Sequence, residues 1–260
     1  MKSTVFTQTL KEQRRGLIGW SIGLGLVPMM YLPSFSSMKE QGSLSNIKQN
    51  DVYTAMGMSD FGSAAGYLQS TIFALMGLLL MVIFAVTMAG RTASQEDSGT
   101  LDLLLAQPIS RTSLLAQRFA ALAVQVAVVT TVLAVGVLAG ANAGGMDVPA
   151  GNILAAVTGL GLLGLAVGAL TLLVGAVTGK RAQTLGFAAL LVVGGYLANS
   201  LGAFIDGAKW MQNLSPFHYA IGDSTLVNGW NAGNLGILAA LAAVAIGVAL
   251  TVFNRRDLAV

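Results

Sequence analysis

The chain has 260 residues, of which 55% are hydrophobic and only 10% charged, and its mean hydropathy is +0.73. That balance leaves too little polar surface for a water-soluble domain and marks an integral membrane protein. Cysteine is absent, which excludes a disulfide framework, a thiolate metal site and a cysteine nucleophile. Glycine occurs 32 times against five prolines, a ratio that fits close helix packing in lipid better than a loop-rich fold. The net charge of +3 matters through its placement, and no nucleic-acid partner is expected.

In chain order, "TVFTQTLKEQRRGLIGW" sets Val5, Phe6 and Leu10 at helical spacing beside Lys11, Arg14 and Arg15, which predicts an amphipathic helix over residues 1–16 lying in the membrane interface. A spanning helix needs roughly 20 apolar residues. Six stretches qualify, at 17–37, 66–90, 113–140, 151–178, 182–205 and 233–253. The first is too long for a removed secretory signal and reads as an anchor. The soluble pieces between the spans are too short for a globular domain, so residues 1–260 form one transmembrane domain.

Lysines and arginines gather on the cytoplasmic side of spans. Lys2, Lys11, Arg14, Arg15, Arg91, Arg111, Arg118, Lys180, Arg181, Arg255 and Arg256 fall on one side, and only Lys39, Lys48 and Lys209 on the other. Both termini are therefore expected in the cytoplasm.

Charged groups inside spans mark proton relays and ion paths. Arg118 lies close enough to the start of the third span to snorkel to the surface, and the remaining polar exceptions are Gln125 and Asn199. These two serve either as lining of a path or as bonds between helices. A carrier driven by protons or sodium through buried carboxylates is disfavoured. Gly161, Gly164 and Gly168 offer a small-residue face that packs a helix within the chain or across a dimer.

Three apparent chemical motifs fail. "GAVTGKR" from Gly175 has three residues between its glycines where a phosphate loop needs four, and it follows an apolar helix. Ser215, His218 and Asp223 lack a nucleophile elbow. A single histidine with methionines such as Met56 and Met58 makes a poor metal site. No catalytic residue, metal ligand or cofactor site is expected in the chain.

Most informative is the stretch "TASQEDSGTLDLLLAQPISR", residues 92–111. Ser94 and Asp97 fit a capping box, so a helix is expected over about 94–107 with acids in its first turn. Leu101, Leu104 and Leu105 share a face, Gly99 weakens the helix, and Pro108 ends it. An anionic leaflet would prefer basic residues there, so the acids Glu96, Asp97 and Asp102 favour a protein partner.

The order Glu96, Asp97, Ser98, Gly99, Thr100, Leu101, then Leu104, Leu105, Pro108, Ile109, Ser110, Arg111 resembles the coupling-helix region of permeases of the type 2 ATP-binding-cassette (ABC) exporter family. "LSPFHYA" (214–220) and "FNRRDL" (253–258) resemble two further segments of that family. The resemblance implies that Glu96, Asp97, Gly99, Thr100, Leu101, Leu104, Leu105, Pro108 and Arg111 dock on a separate ATPase subunit. It also implies short re-entrant helices on the outer side around Pro216, Phe217 and His218. By the same resemblance two permeases, alike or related, pair over two ATPase subunits that hold ATP and Mg. The assembly sits in a prokaryotic plasma membrane and exports a hydrophobic or amphipathic compound such as a drug, antibiotic, lipid or peptide. The alternatives are a membrane scaffold or regulatory subunit that binds an ATPase without transport, and an intramembrane enzyme.

Overall fold

A chain surrounded by hydrocarbon must satisfy its own backbone hydrogen bonds, and every regular element among the described residues is helical. The computed structural model describes residues 4–44, 60–97, 109–205, 207–222 and 224–255, with the backbone alone for 94–97 and 204.

Among the described residues six long apolar helices are present, at the positions the apolar runs predict. The first is α1 (Val5–Tyr31), capped by Thr4 and followed by a 3₁₀ turn (Leu32–Ser34) and a short α2 (Phe35–Glu40). The second begins as α3 (Ala64–Leu68), widens into a π-helical segment (Gln69–Met76) and continues as α4 (Gly77–Asp97). Then come α5 (Arg111–Ala143), α6 (Ala150–Thr178) and α7 (Arg181–Phe204). Three short helices, α8 (Trp210–Leu214), α9 (Pro216–Ile221) and α10 (Thr225–Asn228), precede the last span α11 (Ala232–Arg255).

Two expectations are corrected. Residues 5–16 do not form a separate helix along the interface, because Val5 to Tyr31 is one helix. Its first turns pack on α5, where the Phe6 amide donates to Gln117 Oε1 at 3.1 Å, and Val5 and Gln13 are buried. These turns continue the first span and rest against the start of α5. Ser94, likewise, starts no new helix: α4 runs through it to Asp97, since nothing in "RTASQED" breaks the helical bonds of the preceding span.

The spans pair with a definite register. Down α1 and α5, Phe6 meets Gln117, Gln13 meets Gln125, Gly25 meets Gly136 and Pro28 meets Gly140, so the two helices run parallel over nearly all of α1. A Cβ at Gly136 would lie 2.7 Å from the Gly25 carbonyl oxygen, and one at Gly140 would lie 2.8 Å from that of Pro28. Small residues allow this backbone-to-backbone approach. A second parallel pair joins α6 to α11, with Gly159 near Leu235 and the alanines 166, 169, 242 and 245 clustered together.

The most buried span is α6, while α1, α7 and α11 leave most of their surface uncovered by the rest of the chain. Gly164 faces Met81 of α4, and Gly161 and Gly168 face Thr130 and Leu122 of α5. This small-residue face therefore packs helices within the chain.

Most of the described basic residues collect at one end of the bundle, while Lys39 and Lys209 stand at the other. Met88 and Arg91 of α4 lie over Gly16 of α1, Leu185 of α7 lies over Gly90, and Ala93 and Thr184 flank Gly175 of α6. Lys11, Arg14, Arg15, Arg111, Lys180, Arg181 and Arg255 belong to the same level. At the opposite end Tyr31, Trp210 and Trp230 are exposed, as amphipathic rings are at a membrane boundary.

Candidate functional site

Glu96 and Asp97 stand in the last described turn of α4. Gly99, Thr100, Leu101, Leu104, Leu105 and Pro108 lie outside the described residues. Arg111 opens α5, where Ser110 accepts the Ser113 amide at 3.2 Å and caps the helix. That Ser-x-x-Ser start is a local cap that the sequence reading passed over.

Arg118 does not snorkel. It is 5% exposed, about 10 Å along α5 from Arg111 at 1.5 Å per residue, where the first turns of α1 cover that level. Gln125 is also buried, and its Nε2 donates to Gln13 Oε1 at 2.9 Å, bonding α5 to α1. Neutral amide bonds of this kind in lipid contribute about 0.6 kcal/mol in double-mutant cycles. Gln125→Leu alone should cost about 1–3 kcal/mol by stranding the Gln13 amide. Adding Gln13→Leu should recover most of that loss, as read from unfolding midpoints of the single and double variants.

At the other end the short helices are tied to three spans by side-chain hydrogen bonds. Gln69 Nε2, at the head of the π-helical segment, donates to the Ile221 carbonyl at 3.2 Å. Asn152 Nδ2, near the start of α6, donates to the Leu226 and Val227 carbonyls at 3.0 and 3.2 Å. Ser215 donates its hydroxyl to the Gly195 carbonyl at 2.7 Å and accepts the Phe217 amide, so it both caps α9 and fastens it to α7. This hydroxyl therefore serves structure, and Asp223 lies outside the described residues.

Phe217 is buried, with its ring edge-on to Tyr196 at 5.8 Å and against Gly195. The Ala220 backbone meets Gly159. Gly195 and Gly159 each lie nine residues from the near end of their helices, so α9 reaches about 14 Å down into the bundle at 1.5 Å per residue. That is close to half of a hydrocarbon core of about 30 Å. Pro216, Phe217 and His218 thus sit together on one inserted turn.

Asn199 is buried on α7 one turn beyond Tyr196, its carbonyl accepting from Gln212 Nε2 at 3.4 Å while its own Oδ1 has no hydrogen-bond partner. The structure does not bring Gln125 and Asn199 together: one belongs to the basic end, the other to the end with the short helices. Sequence reasoning missed Gln13, Gln69 and Asn152, and it weighed Ser215 only as a failed triad member. Their signal was weak, since polar residues near span ends are common, and the carbonyls they hold are up to 152 residues away.

Among the described residues no group of three or more His, Asp or Glu side chains gathers. What the arrangement offers is neutral amides, hydroxyls and carbonyls that fix helices against one another. Six apolar spans around an inserted helical turn define a polytopic α-helical membrane protein. Residues 3–254 match the family described as the C-terminal domain of multidrug efflux system permease Rv1217c, and the chain belongs to that family. Its class is thus a transport permease. No curated protein matches the chain.

Proposed function

We propose that the chain is the membrane-spanning subunit of an ATP-driven exporter of the type 2 ABC kind. The observation that carries this reading is the continuity of α4, which runs from the π-helical segment through the basic end of the bundle to Glu96 and Asp97 in one helix. Acids on such an extension move with the span. A partner that grips them moves the span, and through Gln69 the inserted turn of α9.

In this reading the basic end faces the cytoplasm of a prokaryotic cell. Glu96, Asp97, Gly99, Thr100, Leu101, Leu104, Leu105, Pro108 and Arg111 form the ATPase-docking region. Two permeases, alike or related, stand over two ATPase subunits, which hold ATP and Mg. Closure of the ATPases pushes the docking regions and alternates access to a path between the permeases. The cargo is hydrophobic or amphipathic, since the spans offer few charges to compensate a strongly charged one.

The test is co-expression with a cognate ABC ATPase subunit. Glu96→Lys with Asp97→Lys should cut ATPase co-purification at least about tenfold, a loss of at least roughly 1.4 kcal/mol of docking energy, while membrane insertion stays at wild-type yield. Co-purification and ATP turnover that match wild type would remove the docking role. Intact docking with no compound exported from reconstituted vesicles would favour a scaffold.

A further inference from the structure

Both α7 and α11 pack against α6 but stand apart from each other. Between them lies a cavity of about 340 Å³ whose floor is Val167, Leu170 and Thr171 of α6 and whose far wall includes Leu241 of α11. Pro216 and Phe217 of the inserted turn close its upper end. We propose that this slot is a binding site for one acyl chain of a membrane phospholipid.

Three features select that occupant. The first is polarity: Thr171 is the one lining residue with a polar side chain, and its hydroxyl donates to the Val167 carbonyl at 2.8 Å, so it is bonded to the protein's own backbone. A ligand with polar atoms would strand them there, whereas a hydrocarbon tail loses nothing.

The second is shape. The α7 wall extends from Ala188 to Ala198, about 15 Å at 1.5 Å per residue, or half of a hydrocarbon core of about 30 Å. A single tail has that reach, while about 340 Å³ over that length leaves too little room for a helix about 10 Å across. The third is the entrance. Leu190 and Leu214 line the slot and are 66% and 73% exposed, so it opens sideways into lipid. At the start of α8, one turn before Leu214, Lys209 and Trp210 are exposed. A cation beside an indole at the boundary matches a phosphate headgroup.

The experiment fills the slot. A Cβ built at Gly194, which lines the rim, meets nothing within 4 Å, and the same holds for Gly186, which does not line the slot. The full chain is released from nanodiscs of mixed phosphatidylethanolamine and phosphatidylglycerol and weighed by native mass spectrometry. Wild type and Gly186→Leu should keep one more phospholipid per chain than Gly194→Leu or Ala198→Leu. Delipidated wild type should gain thermal stability when phospholipid returns, and the two filled variants should not. Equal lipid counts in all four proteins would overturn the proposal. So would retention of a hydrophobic efflux dye at the slot with no phospholipid, which would give the slot to cargo.

Discussion

Gly136→Leu is expected to abolish recovery of folded protein, whereas Gly23→Leu on the facing helix should be tolerated. At Gly136 the first side-chain carbon would already lie 2.7 Å from the Gly25 carbonyl oxygen and 3.3 Å from its Cα. Those are backbone atoms, so no rotamer change relieves the contact, and α1 must move away from α5. Overpacking of a tight core costs typically about 1–3 kcal/mol. Here the displacement would also pull apart the Phe6–Gln117 and Gln13–Gln125 bonds made by the same helix pair. A Cβ at Gly23 meets nothing within 4 Å, which makes it the matched control. Size-exclusion recovery and the thermal midpoint in detergent measure both, and a monodisperse Gly136→Leu protein melting with wild type would refute the packing argument.

Phe217→Ala should be the most damaging single truncation in the inserted turn. The ring is 2% exposed, and it fills the space between α7 and the turn, touching the slot on one side and, on the other, a second cavity of about 140 Å³ lined by Leu78, Val82 and Tyr196. Removing a buried Phe costs about 3–5 kcal/mol, and the void would join those two cavities into one. The Ser215 and Gln69 bonds should still hold the ends of α9. The variant is therefore expected to insert but to melt at a lower temperature and to lose transport. Tyr219→Phe, which gives up only a bond to the Asn213 carbonyl at the surface, should melt close to wild type.

The six spans were legible because length and apolar content decide whether a segment crosses lipid, and neither depends on distant contacts. The charge pattern also carried over, as the described basic residues assigned to one side share one end of the bundle. What failed were boundaries and breaks set by neighbours. Residues 5–16 have an interfacial pattern, yet α5 draws them into the span. Ser94 and Asp97 match a capping box, yet the helix before them has no reason to stop. Gly161, Gly164 and Gly168 were visible as a packing face, but the backbone-to-backbone contact with α1 lies at Gly136 and Gly140, because a glycine pattern does not reveal which faces meet. The π-helical segment at Gln69 has no sequence signature, and the amides of Gln13, Gln69 and Asn152 acquire meaning only from carbonyls or amides brought to them by the fold.

The link between α6 and α7 sets how those two helices can part. Only Gly179 and Lys180 lie between them: Gly179 closes α6 in the left-handed region at φ 65°, and Lys180 is extended. Thr178 and Thr184 add a hydroxyl clasp at 3.1 Å across the bend. Antiparallel rods riveted at one tip separate like scissor blades, with travel that grows toward the free tip. For the 24 residues of α7, a tilt of about 10° leaves the rivet in place and swings the far end by about 6 Å, taking 1.5 Å per residue. Leverage therefore falls on the end where α9 is fastened, and small motions near Lys180 arrive there enlarged.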